Sequence, residues 1–270
     1  MPYFATTDNC KLYYEVKGAG KPIVFIHGWD CSHHFFKYQV PEFKKVHQVI
    51  TYDLRGHGDS DRPETGIHLA RFASDLKELI DYLELKDVVL VGWSMGVHII
   101  WEYIDMYGCD NIAKVVLIDM TAKLLCEPGE DWAHPLFGSF TRADTLGQMD
   151  AIAKDWKAVA NGFVPVMFSD GPNQEEIPWV LEQAYKNSEH VMINMWLAMS
   201  MRDYRPMLGK VTVPALITYG KNPSLYSPAN SEWLEQNMPN AKAVGFAGGH
   251  AHFMQDIENF NKTVREFIEE

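Results

Sequence analysis

Short apolar runs rich in β-branched residues alternate along the chain with segments of helical periodicity. The runs that we interpret as strands cover residues 11–16, 22–28, 47–53, 87–93, 113–119, 214–220 and 241–247. The segment 70–85 shows the helical part of the pattern, because its apolar residues recur every three or four positions. Strands that alternate with amphipathic helices are typical of a mostly parallel sheet covered by helices. The pattern therefore predicts an α/β fold.

The alternation is interrupted after the strand that ends at Asp119. About 90 residues pass before the next strand begins near Val213, and a compact domain does not contain a structureless loop of that length. The inserted segment, residues 122–210, is rich in Trp, Phe and Met. We interpret it as a helical cap over the carboxyl ends of the strands, with residues 1–121 and 211–270 forming the core. Most of its aromatic side chains are expected to pack against each other, and a minority to line an apolar pocket.

Composition limits the classes of partner. The chain has 270 residues, 47% of them hydrophobic, and a formal net charge of −12. This charge argues against nucleic acid or an anionic membrane as a partner, since both require a basic surface. We see no secretion signal at the start and no apolar run long enough for a membrane helix, so we expect a cytoplasmic protein. The four cysteines lack CxxC spacing, so we expect neither a metal site nor another cofactor, and the sequence does not indicate an oligomeric state.

The segment VVLVGWSMGVHII places a G-x-S-x-G motif between a predicted strand and a predicted helix. A sharp strand-to-helix turn there would project the Ser94 hydroxyl into the open, which a nucleophile requires. The same turn would aim the backbone N–H of Met95 at a developing oxyanion. A second N–H donor is expected from Trp29, in the loop after the strand 22–28, with its ring either walling the pocket or simply packing. His27 precedes that turn and is interpreted as a structural brace.

The general base is expected to be His250. It follows the last predicted strand in FAGGHAHF, where a loop can reach over the carboxyl edge of the sheet towards Ser94. His252 is the competing candidate in the same loop. His98 is interpreted as a histidine buried in the helix after Ser94. His33 and His34 lie near a cysteine but lack the spacing of a metal site.

Four segments together resemble the α/β-hydrolase superfamily, and most closely its bacterial arylesterases and cofactor-free haloperoxidases. They are FIHGW, YDLRGHGDSDRP, GWSMG and GGHAHFMQDIENFNKTVREFI, and they extend over the whole chain. The resemblance implies an eight-stranded, mostly parallel sheet flanked by helices, with a helical cap inserted after strand six. It also implies Ser94 and His250 as nucleophile and base, and a structural role for the turn that contains Asp53, Arg55 and Asp59.

The chain departs from this family at the position of the triad acid. The family's usual carboxylate follows the seventh strand, but the segment GKNPSLYSP offers Asn222 and Ser224 there. An amide is a poor substitute, because it does not stabilise an imidazolium. Asp119 ends the strand 113–119 at the same sheet edge, and some branches of the superfamily resemble this arrangement. Asp119 is therefore the expected acid, while Asp203, Glu232, another cap carboxylate and no acid at all remain alternatives.

These residues predict a serine esterase that cleaves a carboxylic ester or lactone carrying an apolar or aromatic group through an acyl-enzyme on Ser94. Within the family, perhydrolysis and C–C bond hydrolysis remain open, and so does cofactor-free dioxygenase chemistry, although Met95 stands where those enzymes tend to carry histidine. Haloalkane dehalogenation is disfavoured, because its nucleophile is a carboxylate. The alternative of a different class is a ligand-binding or weakly catalytic protein, suggested by the missing acid after strand seven.

Overall fold

A computed structural model describes residues 3–168, 174–222 and 225–270. Eight strands form one sheet, with bounds Tyr3–Ala5 (β1), Lys11–Lys17 (β2), Lys21–Ile26 (β3), His47–Tyr52 (β4), Val88–Trp93 (β5), Ile112–Ile118 (β6), Ala215–Gly220 (β7) and Ala241–Phe246 (β8). The spatial order is β1-β2-β4-β3-β5-β6-β7-β8. All pairs from β4 to β8 are parallel, while β2 runs antiparallel to both β1 and β4. The predicted eight-stranded, mostly parallel sheet is confirmed.

The α-helices within the described residues are Val40–Phe43 (α1), Leu69–Tyr82 (α2), Met95–Tyr107 (α3), Arg142–Lys154 (α4), Trp156–Met167 (α5), Ile177–Ala184 (α6), Glu189–Ser200 (α7), Pro228–Asn237 (α8), His252–Gln255 (α9) and Ile257–Glu269 (α10). None of these helices combines the length and apolarity that a bilayer crossing demands. Helix α2 forms because its apolar residues share one face, and that face is buried. Four helices, α4 to α7, lie between β6 and β7 in the inserted segment.

The centre of the sheet is the most apolar part of the molecule. Every residue of β5 is buried, as expected for a central parallel strand covered on both faces. The first ten residues of α3, Met95 to Ile104, are buried as well. The junction of β5 and α3 is thus held between layers on all sides, which gives the residue at that junction a fixed position.

Two structural details differ from the sequence pattern. β1 was not among the strands predicted from periodicity, because three residues are too few to show an alternation. In the inserted segment, most of the Trp, Phe and Met side chains are buried, but Phe137 and Met201 are about half exposed. These two side chains therefore do not belong to a core of that segment.

Candidate active site

Ser94 lies at the turn between β5 and α3, and its backbone is strained. Its φ of 54° and ψ of −119° lie in a region that residues with a Cβ rarely adopt. The conformation is held by a hydrogen bond of 2.9 Å from the Ser94 N–H to the Ile118 carbonyl of β6, and by one of 2.8 Å from the Val97 N–H to the Ser94 carbonyl. The result is a side chain that projects from the sheet edge.

The glycines around Ser94 are required by close packing. A Cβ on Gly96 would lie 2.3 Å from the carbonyl oxygen of Ile26, and one on Gly92 would lie 2.6 Å from the main chain of Gly96. A Cβ on Gly28 would come within 3.2 Å of the Ser94 Cβ, which shows how near the loop after β3 approaches the serine. Larger residues would push the turn, the helix and this loop apart.

His250 and Asp119 meet in a buried hydrogen bond. The Nδ1–H of His250 donates to Oδ2 of Asp119 over 2.6 Å, and both side chains are almost fully buried. Asp119 directly follows β6, has a φ of 45° and donates its N–H to the Thr218 carbonyl of β7 over 2.9 Å. Burial raises the pKa of the Asp119 carboxyl, while the hydrogen bond and charge of His250 act in the opposite direction.

The loop that carries His250 is fixed by contacts from three directions. The indole Nε1–H of Trp93 donates to the His250 carbonyl over 3.1 Å. Oε1 of Gln255 accepts from the Gly249 N–H at 2.9 Å. The N–H of Asn222, just past β7, donates to the Gly248 carbonyl over 3.1 Å. The segment after β7 thus supports the histidine loop through its main chain, and Ser224 lies outside the described residues.

The other candidate acids are placed elsewhere. Asp203 is bound by the guanidinium of Arg205, with an Nε–Oδ1 distance of 2.9 Å. Glu232 is exposed on α8. The carboxylate that contacts His250 is that of Asp119.

The remaining histidines have structural surroundings. His27 donates from Nδ1 to the Gly28 carbonyl and accepts the Leu54 N–H at Nε2, and burial lowers its pKa to about 4. His98 is buried and donates to the Thr121 carbonyl over 2.9 Å. His252 lies between the Gly249 carbonyl and the Thr218 hydroxyl, and burial lowers its pKa to about 3.

The turn after β4 is also a structural unit. Asp53 is buried and accepts the N–H groups of His33 and Asp59 over 2.7 and 2.8 Å. Arg55 is buried and forms a two-pronged ion pair with Asp75. These contacts hold together the loops behind the serine.

Ser94 and His250 line the same small cavity, whose volume is about 20 Å³. That is room for roughly one water molecule. Apart from Ser94 and His250, the wall is mostly apolar or aromatic, and it includes Gly28, Trp29, Cys31, Trp93, Met120, Leu124, Leu136, Phe163, Met167, Trp196, Met199, Leu225 and Tyr226. Phe163, Met167, Trp196 and Met199 belong to the inserted segment, so this segment closes the cavity above the serine.

Of the two expected oxyanion donors, Trp29 lines this cavity and Met95 directly follows Ser94 in the chain. Met95 is the first residue of α3, and the first N–H groups of a helix have no partner within the helix. Trp29 follows Gly28 in the loop that approaches Ser94. Its indole Nε1–H donates to the Met192 carbonyl over 3.1 Å, and its ring packs against those of Trp156 and Trp196 with centroids 5.2 and 4.9 Å away. The Trp29 ring is therefore both packed and part of the cavity wall.

Three residues near the site were missed by sequence reasoning. Trp93 fixes the main chain of His250, and its place inside the serine motif was the available signal. Tyr226 packs edge-on to the His250 ring at 5.9 Å and donates its hydroxyl to the Met120 sulfur over 3.2 Å. Asp30, next to Trp29, is 1% exposed, and burial raises its pKa to about 7. No pattern in the sequence marks Asp30 as buried.

Comparison with known proteins shows the family to which the chain belongs. The chain is 32% identical to a putative non-heme chloroperoxidase of Synechocystis over the full length of both chains. Among solved structures, it is similar to an esterase of Exiguobacterium antarcticum (TM-score 0.92, 27% identity, 99% of each chain). It is also similar to a bromoperoxidase of Bacillus anthracis (TM-score 0.90, 30% identity, 97% of this chain and 96% of that one). The model of the alpha/beta hydrolase family matches residues 23–263, and the chain belongs to this family.

Proposed function

We propose that the protein is a serine hydrolase that cleaves a carboxylic ester or lactone bearing an apolar or aromatic group. The observation that carries the proposal is the buried 2.6 Å hydrogen bond from His250 to Asp119, together with the cavity that both His250 and Ser94 line. A neutral partner could accept the imidazole N–H, but it would not stabilise the imidazolium that forms during the reaction. The mostly apolar wall of the cavity favours a substrate with an apolar group next to the scissile bond.

The proposed reaction proceeds through an acyl-enzyme. The Ser94 oxygen attacks the carbonyl carbon while His250 takes the hydroxyl proton, and Asp119 stabilises the imidazolium that forms. The N–H groups of Trp29 and Met95 stabilise the negative charge on the carbonyl oxygen. His250 then gives the proton to the departing alkoxide. A water molecule, deprotonated by His250, attacks the acyl carbon and releases the acid and the free serine.

Labelling with a fluorophosphonate tests the nucleophile directly. We expect one adduct per chain in the intact mass, and peptide mapping that assigns it to Ser94. Ser94→Ala should lose the adduct and should hydrolyse p-nitrophenyl acetate about 10⁵- to 10⁶-fold more slowly, as other serine hydrolases do without their nucleophile. The proposal would be contradicted if Ser94→Ala kept its turnover and the fluorophosphonate adduct mapped to a residue other than Ser94.

The relatives named chloroperoxidase and bromoperoxidase favour one second candidate, perhydrolysis. In this reaction, hydrogen peroxide replaces water in the attack on the acyl-enzyme. One peroxide oxygen bonds to the acyl carbon while His250 takes its proton. The bond from that carbon to Ser94 Oγ then breaks, His250 gives the proton to Oγ, and the peracid leaves. Incubating the protein with an acetate ester and hydrogen peroxide, and then analysing the products, separates hydrolysis from perhydrolysis. Peracetic acid formed in proportion to the peroxide supports perhydrolysis, and acetic acid alone excludes it.

A further inference from the structure

An apolar groove lies on the inserted segment, next to the cavity that contains Ser94. Its walls are formed mainly by Phe137, Phe140, Val159, Phe163, Val166 and Trp196. The groove has a volume of about 250 Å³, whereas the cavity has only about 20 Å³. An ester with more than a few heavy atoms does not fit into the cavity alone, since that volume admits roughly one water.

Two side chains separate the groove from the cavity. Phe163 of α5 and Trp196 of α7 line both spaces, and their rings meet edge-on with centroids 6.3 Å apart. Phe163 is only partly buried. The rings of Phe163 and Trp196 therefore form the partition between the groove and the cavity.

A second hollow also adjoins the cavity, through Leu225 and Tyr226, but its chemistry differs. Its wall includes the imidazole of His134 and the hydroxyl of Ser227. The groove beside Phe163 has one polar side chain, Gln148, among the residues that line it. The groove is lined by six large apolar side chains and the hollow by three, Phe137, Leu225 and Tyr226, so a hydrocarbon chain finds more apolar contact in the groove.

We propose that the groove holds the aliphatic chain of the substrate, with the ester carbonyl at Ser94 and the chain passing between Phe163 and Trp196. This inference rests on the ester hydrolysis proposed above and names its substrate class: esters or lactones that carry an unbranched apolar chain. Each methylene that moves from water into the groove raises kcat/KM up to about four-fold. The preference for long chains therefore depends on the groove, and the reaction of short esters does not.

Gly162 allows the groove to be filled without disturbing the fold. It lies on α5 and lines the groove, and a Cβ built on it meets no atom within 4 Å. Gly162→Leu places a side chain in open space and replaces a poor helix former by a good one. Gly147 on α4 is the matched control, because it is also exposed and open but does not line the groove.

The kinetic test compares p-nitrophenyl acetate with p-nitrophenyl octanoate, and methyl acetate with octyl acetate. The two series place the chain on the acyl or on the alcohol side. We expect Gly162→Leu to lower kcat/KM for the long member of one series about ten-fold, the contribution of two methylenes, and to leave the short member within about two-fold. Gly147→Leu should have the same kcat/KM as the wild type for all four esters. Equal effects on short and long esters in both series, or no effect in either, would overturn the proposal.

A binding measurement separates failure of the groove from failure of the chemistry. In the Ser94→Ala background, calorimetry with p-nitrophenyl octanoate and octyl acetate reports binding without turnover. Addition of Gly162→Leu should weaken the binding of one of them about ten-fold, even if Ser94 proved not to be a nucleophile. Unchanged affinity for both esters would overturn the proposal that the groove binds the chain. The fluorophosphonate experiment would still decide separately whether Ser94 is the nucleophile.

Discussion

The strands on either side of β5 are each followed by a buried aspartate. Asp119 follows β6 and is 5% exposed, and Asp30 follows β3 and is 1% exposed. Both have left-handed backbones, with φ of 45° and 61°. Burial raises the pKa of both carboxyls. The two loops thus provide the same residue with a positive φ, on opposite sides of the strand that carries Ser94.

The two aspartates differ in what their oxygens contact. Oδ2 of Asp119 accepts the imidazole N–H of His250 over 2.6 Å. Oδ1 of Asp30 accepts only the weak S–H donor of Cys31 at 3.4 Å, and among the described residues its Oδ2 has no hydrogen-bond partner. The Asp30 main chain, in contrast, is well held, since its carbonyl accepts the Asn187 amide over 2.8 Å. Burial alone therefore does not distinguish the two carboxyls: Asp119 accepts an imidazole N–H, whereas Asp30 accepts the thiol of Cys31.

The largest expected effect is on activity at Asp119. Asp119→Asn keeps the shape and the left-handed backbone but removes the charge that stabilises the His250 imidazolium. By analogy with the same change in serine proteases, we expect kcat/KM for p-nitrophenyl acetate to fall about 10⁴-fold. Asp30→Asn should keep kcat/KM within about three-fold of the wild-type value, because Asp30 does not contact His250.

Circular dichroism and thermal melts of both variants provide the control for this comparison. Both proteins should retain the wild-type spectrum, since the substitutions preserve size. If Asp30→Asn lost activity to the same degree as Asp119→Asn, the expectation that only Asp119 affects the reaction would be wrong.

A smaller effect, on stability, is expected at Asp30. An unfolded Asp titrates near 3.9, whereas burial raises the pKa of Asp30 to about 7. The folded state therefore binds this proton more tightly, and the free energy of unfolding falls as the pH rises from about 4 to 7. The full loss is about 4 kcal/mol and is reached above pH 7.

Asp30→Asn removes this pH dependence. The variant should be more stable than the wild type at pH 8, by up to about 4 kcal/mol, and the difference should shrink as the pH falls towards 4. Urea unfolding at a series of pH values measures it. A constant difference across the range, or a variant that is less stable at pH 8, would show that Asp30 is not held protonated by burial.

The contrast between the two aspartates also marks what the sequence could predict. The sheet and the site follow from residues at strand ends, because the carboxyl ends of parallel strands meet at one edge whatever the loops do. Ser94, His250 and Asp119 each follow a strong apolar run, so their positions could be predicted. β1 could not be, since three residues show no period.

The loop side chains and the inserted segment were less predictable for a physical reason. Aspartate is rarely fully buried, and no sequence pattern marks Asp30 as an exception. In the inserted segment, the apolar pattern shows which residues avoid water but not which partners they meet. Phe137 at the surface and Phe163 between two spaces carry the same side chain, and helix packing alone distinguishes them.

In the proposed mechanism, Asp119 and not a residue after β7 holds the histidine. A proton NMR spectrum tests it directly, because a proton shared between an imidazole and a buried carboxylate resonates far downfield of the amide protons. We predict one such resonance in the wild type, unchanged in Asp30→Asn and absent from both Asp119→Asn and His250→Asn. A resonance that persists in Asp119→Asn and vanishes only in His250→Asn would contradict the claim and assign the acid to another residue.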